Sequence, residues 1–143
     1  MSPAIQSASW KDIEEGAEVC LPFTVSDEDM NAFARLSGDE SALHTEPDFA
    51  RRKGFESRVV YGGLIVAHIS RLLGMHLPGR DGVWNGLKID FRRPLYPNQP
   101  ACVIGRVSHR SEATLSLSIK LRVESGDRLI ATGSADVSVL LDE

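Results

Sequence analysis

Residues 64–73 constrain the fold more than any other part of the sequence, because they are apolar around most of a helical circumference. A helix of this kind is normally enclosed by the rest of its protein. The segment is too short to cross a bilayer, which needs about 20 apolar residues. Directly before it, Gly62 and Gly63 leave the first backbone N–H groups uncovered by side chains. The sequence therefore predicts a buried helix whose first turn can face a ligand that carries negative charge.

Alternating apolar and polar residues in the second half of the chain predict β-strands. Residues 84–91 have a period of two, 102–107 form a short apolar run, and 114–124 alternate without a fault. One face of this last segment consists of Leu115, Leu117, Ile119, Leu121 and Val123. A turn at 125–127 leads into residues 129–139, which continue the pattern. One buried helix followed by such strands, joined by hairpins, implies an antiparallel sheet packed on one face against the helix, which is an α+β fold.

The first third of the sequence is predicted to contain one strand and two helices. Residues 17–25 form a strand-like run. Ser26, with Asp29 three positions later, approximates a capping box at the start of a helix that Gly38 ends. A short second helix is predicted at 47–52. The polar segment between the two helices is therefore a loop.

The composition is that of an ordinary globular protein, with 143 residues, 42% of them hydrophobic and 25% charged. We expect a single domain over residues 1–143, with its core at about 17–140. The net charge of -4 argues against a nucleic-acid partner, because phosphate binding needs clustered positive charge. The N-terminal residues lack the basic start and apolar run of a secretory signal, so we expect a cytoplasmic protein without a membrane segment.

The cysteines and three of the four histidines carry no functional pattern. Cys20 and Cys102 lie far apart in apolar strand-like runs, where a free thiol behaves as a small hydrophobic group, so both are expected to be buried. His76 and His109 have no partner at metal-ligand spacing, so no metal site is predicted. His68, on the central helix, is expected to be a core or interface histidine.

The loop after the first helix contains a candidate acid and base. Asp39 lies five positions before His44. A carboxylate and an imidazole this close could hold one water molecule between them, with either group acting as general base. Taken alone, the same two residues are as easily surface hydrogen-bonding residues of a polar loop. The neighbouring motifs decide between these interpretations.

Three motifs, in this order and at this spacing, resemble those of a known family: GDxxxLH, VxxGGLIxxxISxLLGxxLPG and FxxPLYP. They are similar to the MaoC-like dehydratases, and in particular to the small single-domain (R)-specific enoyl-thioester hydratases. The resemblance covers the chain from about Phe23 to Val139. It implies a hotdog fold, in which an antiparallel sheet wraps around one long central helix.

The resemblance also implies roles for individual residues. Asp39 and His44 match the catalytic acid and histidine, and Gly62 matches the glycine whose N–H binds the thioester carbonyl. Ser70 matches a serine that supports the acidic residue. The family implies a homodimer with two sheets joined edge to edge, and it needs no metal or redox cofactor.

This sequence departs from the family pattern near the expected site. Ser41 and Ala42 stand where the family prefers Asn and Pro, and Tyr61 stands where a His commonly precedes the glycine. Ala42 lacks the fixed backbone angle of proline, whereas Ser41 can still form local hydrogen bonds. Together with Ser70, we expect Ser41, Tyr61 and Gly63 to contact the substrate.

The resemblance implies a hydro-lyase that interconverts a trans-2-enoyl thioester and its (R)-3-hydroxyacyl thioester, carried on coenzyme A or an acyl carrier protein. One alternative is a hotdog protein that binds acyl thioesters without hydrating them, as the missing Asn-Pro suggests. Another is a thioesterase, which normally uses a carboxylate on the central helix or in a different loop; residues 62–74 contain none. Two basic groups could meet the phosphates of the carrier: Lys88, Arg92 and Arg93, and Arg51, Arg52 and Lys53.

Overall fold

A computed structural model describes residues 9–141. A 3₁₀ turn at Trp10–Asp12 precedes the regular elements. These are β1 (Glu18–Phe23), α1 (Asp27–Ser37), α2 (Ala42–Thr45), α3 (Pro47–Arg52), α4 (Gly62–Met75), β2 (Gly82–Phe91), β3 (Ala101–Ser111), β4 (Ser116–Ser125) and β5 (Arg128–Val139).

The five strands form one antiparallel sheet in the order β1-β3-β4-β5-β2, which confirms the α+β hotdog prediction. Hairpins join β3 to β4 and β4 to β5, as expected from the sequence. The connection between β2 and β3 is not a hairpin, because these two strands lie on opposite sides of the β4–β5 pair. Three prolines, at 94, 97 and 100, lie in this connection.

The β4–β5 hairpin follows the predicted alternation. Leu117, Ile119 and Val123 are each at most 1% exposed and face the core. Gly126 adopts a φ of 61° in the turn, where Ser125 pairs with Arg128. The predicted turn at 125–127 is thereby confirmed.

The central helix α4 packs one face against the sheet and leaves the other open. Its buried residues are Ile65, Ile69, Leu72 and Leu73. The opposite face is exposed and consists of small residues, Gly63, Ala67, Ser70 and Gly74. The expectation of a helix enclosed on all sides is therefore wrong for a single chain, because one sheet covers only one side of a helix.

Glycines at two sheet positions allow close packing, and their replacement is expected to have unequal effects. An added Cβ at Gly133 on β5 would lie 2.1 Å from the Lys88 carbonyl oxygen on β2. Gly133→Ala should lower the free energy of unfolding by about 3 kcal/mol, since the clash is with backbone that cannot rotate away. At Gly105 the clash is with the end of the Leu72 side chain at 2.6 Å, so Gly105→Ala should cost about 1–2 kcal/mol. Urea denaturation of both variants measures the difference, and equal losses would contradict this account.

The prediction that both cysteines are buried is wrong for Cys20, which is exposed, and Cys102 is only half-buried. Leu21 and Phe23 take the buried face of β1, so the alternation directs Cys20 outward. Cys102 pairs with Pro22, two positions along the strand from Cys20, and so shares this outer face. Within the part of the chain that the structure describes, no helix has the length and apolarity needed to cross a membrane.

Candidate active site

The end of α1 fixes where Asp39 lies. A capping box starts the helix, with the Ser26 hydroxyl accepting from the Asp29 N–H and the Asp29 carboxylate accepting from the Ser26 N–H. Gly38 ends the helix in the left-handed conformation, with φ at 76° and its N–H donating to the Ala34 carbonyl. Both sequence predictions are confirmed. Asp39 is the first residue after this cap.

Ser41 holds the exposed Asp39 carboxylate. The Ser41 N–H donates to Asp39 Oδ1 at 3.0 Å. The Ser41 hydroxyl, then this N–H, hold the pKa of the Asp39 carboxyl below its usual value of 3.8, so it is ionised at neutral pH. Thr45 Oγ1 donates to the Ser41 carbonyl at 3.1 Å. These bonds order the loop although Ala42 stands where the family prefers proline.

His44 lies on α2, so the prediction of a loop over the whole segment between the two helices is wrong for Ala42–Thr45. One hydrogen bond of its ring defines which nitrogen donates. Its Nδ1 lies 2.6 Å from the Val59 carbonyl oxygen. A carbonyl only accepts hydrogen bonds, so Nδ1 is the donor, and in the neutral imidazole Nε2 is the nitrogen with the lone pair. The Val59 N–H donates to the Leu43 carbonyl at 3.0 Å, which joins the same two segments a second time.

Tyr61 lies beneath the acid and base, and only 2% of it is exposed. Its hydroxyl donates to the Asp39 carbonyl oxygen at 2.6 Å. Its ring stacks on that of His44 with centroids 4.3 Å apart and also contacts the Phe33 ring, with centroids 4.6 Å apart. The predicted contact residue Tyr61 is therefore buried beneath the loop, with its hydroxyl already bonded.

His44 and Gly62 line one cavity of about 410 Å³. Its walls are otherwise mostly apolar and include Leu43, Phe55, Val60, Ile65, Pro94 and Leu95. The ring of Phe91 lies against Gly62, where an added Cβ would be 2.8 Å from Phe91 Cζ. The first turn of α4 and the histidine thus meet at a pocket suited to a mostly apolar ligand.

Of the predicted site residues, only His44 and Gly62 line this cavity, and Asp39 and the four predicted contact residues do not. Gly63 allows close approach of α1, because a Cβ there would lie 2.5 Å from Phe33 Cζ. Ser70 lines a separate cavity of about 80 Å³ beside Leu73 and Trp84. Ser70 is eight residues beyond Gly62, which is about 12 Å along the helix axis. One chain alone does not bring Ser70 to His44.

The two groups of basic residues that were predicted to meet the carrier phosphates lie in different places. Arg92 and Arg93 line the cavity of His44, but Lys88 does not. In the second group, Arg51 pairs with Asp48 on the surface. Arg52 and Lys53 each lie over the Phe49 ring.

His68 occupies the kind of site that the sequence predicts. Its half-buried ring stacks on Phe23 with centroids 4.2 Å apart. Burial, and then the nearby Arg71 charge, lower the pKa of His68 below its usual 6.5. Residues 9–141 contain no group of three or more His, Cys, Asp or Glu side chains that could hold a metal ion.

Sequence reasoning missed two contributors to the site. The Val59 carbonyl fixes His44, but a backbone atom has no sequence signal. Phe91 closes one side of the cavity at Gly62. It begins the FxxPLYP motif, so its position could have been suspected, although its contact with the helix could not.

Ser41→Ala is expected to raise the pKa of the Asp39 carboxyl toward 3.8, because the Ser41 hydroxyl is the largest cause of the lowered value. The N–H of residue 41 remains, so part of the lowering should persist. Any stability that depends on this lowered pKa is present above pH 3.8 and is lost as the pH falls through the folded-state value. A ¹³C NMR titration of the carboxyl measures the change. An unaltered titration in the variant would contradict the assignment.

Comparisons with known proteins show the family of this chain. The model of the MaoC like domain family matches residues 10–125. The chain is 30% identical over 132 residues to the (R)-specific enoyl-CoA hydratase of Aeromonas caviae, covering 92% of this chain and 98% of that protein. It is 27% identical over 139 residues to the 3-hydroxybutyryl-CoA dehydratase of Methylorubrum extorquens, covering 97% and 88%. The chain is a hotdog protein with a pocket at the start of its central helix. It belongs to the MaoC-like domain family.

Solved structures support the same fold. The (R)-hydratase from A. caviae involved in PHA biosynthesis superposes with a TM-score of 0.86 at 29% identity, covering 91% of this chain and 99% of that one. A fluoroacetyl-CoA-specific thioesterase superposes with a TM-score of 0.65 at 12% identity, covering 90% and 95%, which shows shared fold alone. Fold similarity by itself therefore leaves both reaction classes open.

Proposed function

We propose that this chain is a hydro-lyase that adds water to trans-2-enoyl thioesters and removes it from (R)-3-hydroxyacyl thioesters. The observation that carries the proposal is the meeting of His44, with a free Nε2, and Gly62, at the start of α4, in one cavity. The similarity to an (R)-specific enoyl-CoA hydratase and a 3-hydroxybutyryl-CoA dehydratase supports the same reaction class.

In this mechanism a water molecule is held between His44 Nε2 and the Asp39 carboxylate. The water oxygen bonds to the third carbon of the enoyl group, while one of the two groups takes its proton. The protonated group then returns a proton to the second carbon, so that one water is consumed and no other reactant is needed. The hydroxyl group and the proton are therefore both added from one side of the pocket. Proton transfer by a positioned side chain typically contributes about 10²- to 10⁴-fold to the rate.

The start of α4 stabilises the negative charge that develops on the thioester oxygen. The first N–H groups of a helix have no partners within the helix, and the positive end of its dipole favours an anion. Gly62 lies at this end and borders the cavity, so we assign its N–H as the donor to the thioester oxygen. Loss of one such donor typically raises the barrier by about 3 kcal/mol.

The carrier of the acyl group in this proposal is coenzyme A or the phosphopantetheine arm of an acyl carrier protein. Arg92 and Arg93 line the cavity next to Phe91 and could meet a phosphate at its mouth. We assign no nucleic acid, metal or redox cofactor to this reaction. The free thiols of Cys20 and Cys102 suit a reducing compartment, so the proposal includes a cytoplasmic location.

The proposed enzyme is a homodimer that pairs two β2 edges. The edge strand β2 exposes Val83, Leu87 and Phe91, which are 40%, 38% and 51% exposed. The other edge, β1, contains Pro22, and proline disfavours strand pairing. Sedimentation should give twice the chain mass of 15.6 kDa, and Leu87→Lys should reduce it to that mass. A wild-type protein that sediments as a single chain would refute this part.

Product analysis separates this reaction from its alternatives. The purified protein is mixed with a trans-2-enoyl-CoA, the product is resolved on a chiral column, and released thiol is followed with a chromogenic reagent. Our proposal predicts an (R)-3-hydroxyacyl-CoA without thiol release. Thiol release would identify a thioesterase, and binding of the thioester without any product would identify a non-catalytic acyl-binding protein.

A further inference from the structure

We propose that Tyr61 is a positioning residue that holds Asp39 and His44 in one arrangement, without touching the substrate. This inference rests on the proposed hydro-lyase function, because it concerns the acid and base of that reaction. It replaces the expectation that Tyr61 contacts the acyl group. Three sets of contacts carry it: one of the hydroxyl, one of the ring and one of the backbone.

The hydroxyl fixes the backbone of the acid. Tyr61 Oη donates to the Asp39 carbonyl at 2.6 Å, across 22 positions of sequence. The residue is 2% exposed, so water has little access to compete for this bond. Burial, and then the Asp39 charge, raise the pKa of Tyr61 above its usual 10.0, so the hydroxyl remains a donor throughout the neutral range. The acid is therefore tied at its main chain by Tyr61 and at its carboxylate by Ser41.

The ring fixes the plane of the base. Tyr61 and His44 stack at an interplanar angle of 24°, and the Phe33 ring also contacts the Tyr61 ring, tilted by 45°. Stacking prevents the imidazole from tilting, and the 2.6 Å bond from Nδ1 to the Val59 carbonyl prevents it from flipping. Together they direct Nε2 away from these partners.

The backbone of Tyr61 begins the helix that carries the anion-binding end. Its carbonyl accepts from the N–H groups of Leu64 and Ile65 at 3.0 and 3.3 Å. Immediately before it, the Val60 N–H donates to the Leu95 carbonyl at 2.8 Å, which ties this segment to the β2–β3 connection. One residue thus links acid, base and helix start, so a small shift of Tyr61 would displace all three. Displacement of reacting groups by about 1 Å can cost about 100-fold in rate.

The test compares the two tyrosines of the chain. Tyr61→Phe removes the hydroxyl and keeps the ring, and it should lower kcat about tenfold with KM within about twofold. Tyr96→Phe is the matched control, because Tyr96 is 7% exposed and its hydroxyl accepts from the Glu56 N–H at 3.0 Å, away from the acid and base. The control should keep the wild-type kcat while losing comparable stability. An undiminished kcat in Tyr61→Phe, or an equal loss in Tyr96→Phe, would overturn the proposal.

A spectroscopic measurement tests the ring contact without any turnover. The His44 ring protons, assigned by their loss in His44→Asn, should be shifted upfield by the stacked Tyr61 ring. The shift should remain in Tyr61→Phe and disappear in Tyr61→Leu. If the wild-type protein proves inactive on enoyl thioesters, the proposed function fails, and this measurement still decides whether Tyr61 positions His44. Unshifted His44 protons in the wild type would refute the positioning role.

Discussion

His44→Ala is expected to lower kcat for enoyl-thioester hydration by about 10²- to 10⁴-fold, the usual contribution of a positioned acid or base. The variant loses Nε2, which is the ring nitrogen that is not hydrogen-bonded to the Val59 carbonyl. Steady-state kinetics measure the loss. KM should change far less than kcat, because the cavity around His44 keeps its mostly apolar walls.

His44→Asn supplies the matched comparison. The amide nitrogen of asparagine can take the place of Nδ1 and keep the donation to Val59, but nothing replaces Nε2. This variant should therefore fold as stably as the wild type and still be as inactive as His44→Ala. His109→Ala, which removes an exposed histidine of β3 that pairs with Glu15, should leave activity unchanged. Wild-type turnover in His44→Asn would exclude His44 as the base.

Asp39→Asn is the second change from which we expect a loss of about 10²- to 10⁴-fold in kcat. The amide oxygen can still accept from the Ser41 N–H, so the loop should keep its conformation. The negative charge and the proton-accepting oxygen are lost, however, and the water molecule loses one of its two partners. The measurement is kcat at neutral pH, where the Asp39 carboxyl of the wild type is ionised.

Glu40→Gln controls for the charge of the loop, because Glu40 is the exposed acidic neighbour of Asp39. It should change kcat by less than about twofold, since a charge on the surface is screened by water and salt. If Glu40→Gln and Asp39→Asn lowered kcat equally, the loss would come from the reduced negative charge of the loop and not from the carboxylate of Asp39.

Local sequence signals predicted most of the scaffold of the site. Ser26 and Asp29 form the capping box, and Gly38 forms the left-handed helix end. The strand predicted at 114–124 is present from Ser116 onward with one face buried, whereas Thr114 and Leu115 lie in the preceding turn. Each of these features depends on residues a few positions apart. The position of Asp39 directly after α1 follows from them, whereas the short helix α2 that carries His44 was not predicted.

Features that depend on distant residues escaped prediction. The order of the strands puts β2 beside β5, so the β2–β3 connection is not a hairpin, and no local pattern encodes that. The exposure of Cys20 depends on which face of β1 meets the core. The contacts of Tyr61 join residues 22 and 17 positions away, so the sequence placed it near the site without revealing that it lies beneath the loop.

The most direct test of the central claim is the loss of enoyl absorbance when crotonyl-CoA, or a longer trans-2-enoyl-CoA, is mixed with the purified protein. The account predicts a steady fall in absorbance for the wild type with at least one of the two thioesters. The same mixture with Asp39→Asn should show almost none. Constant absorbance with both, and with the corresponding thioesters on an acyl carrier protein, would contradict a hydratase at Asp39 and His44.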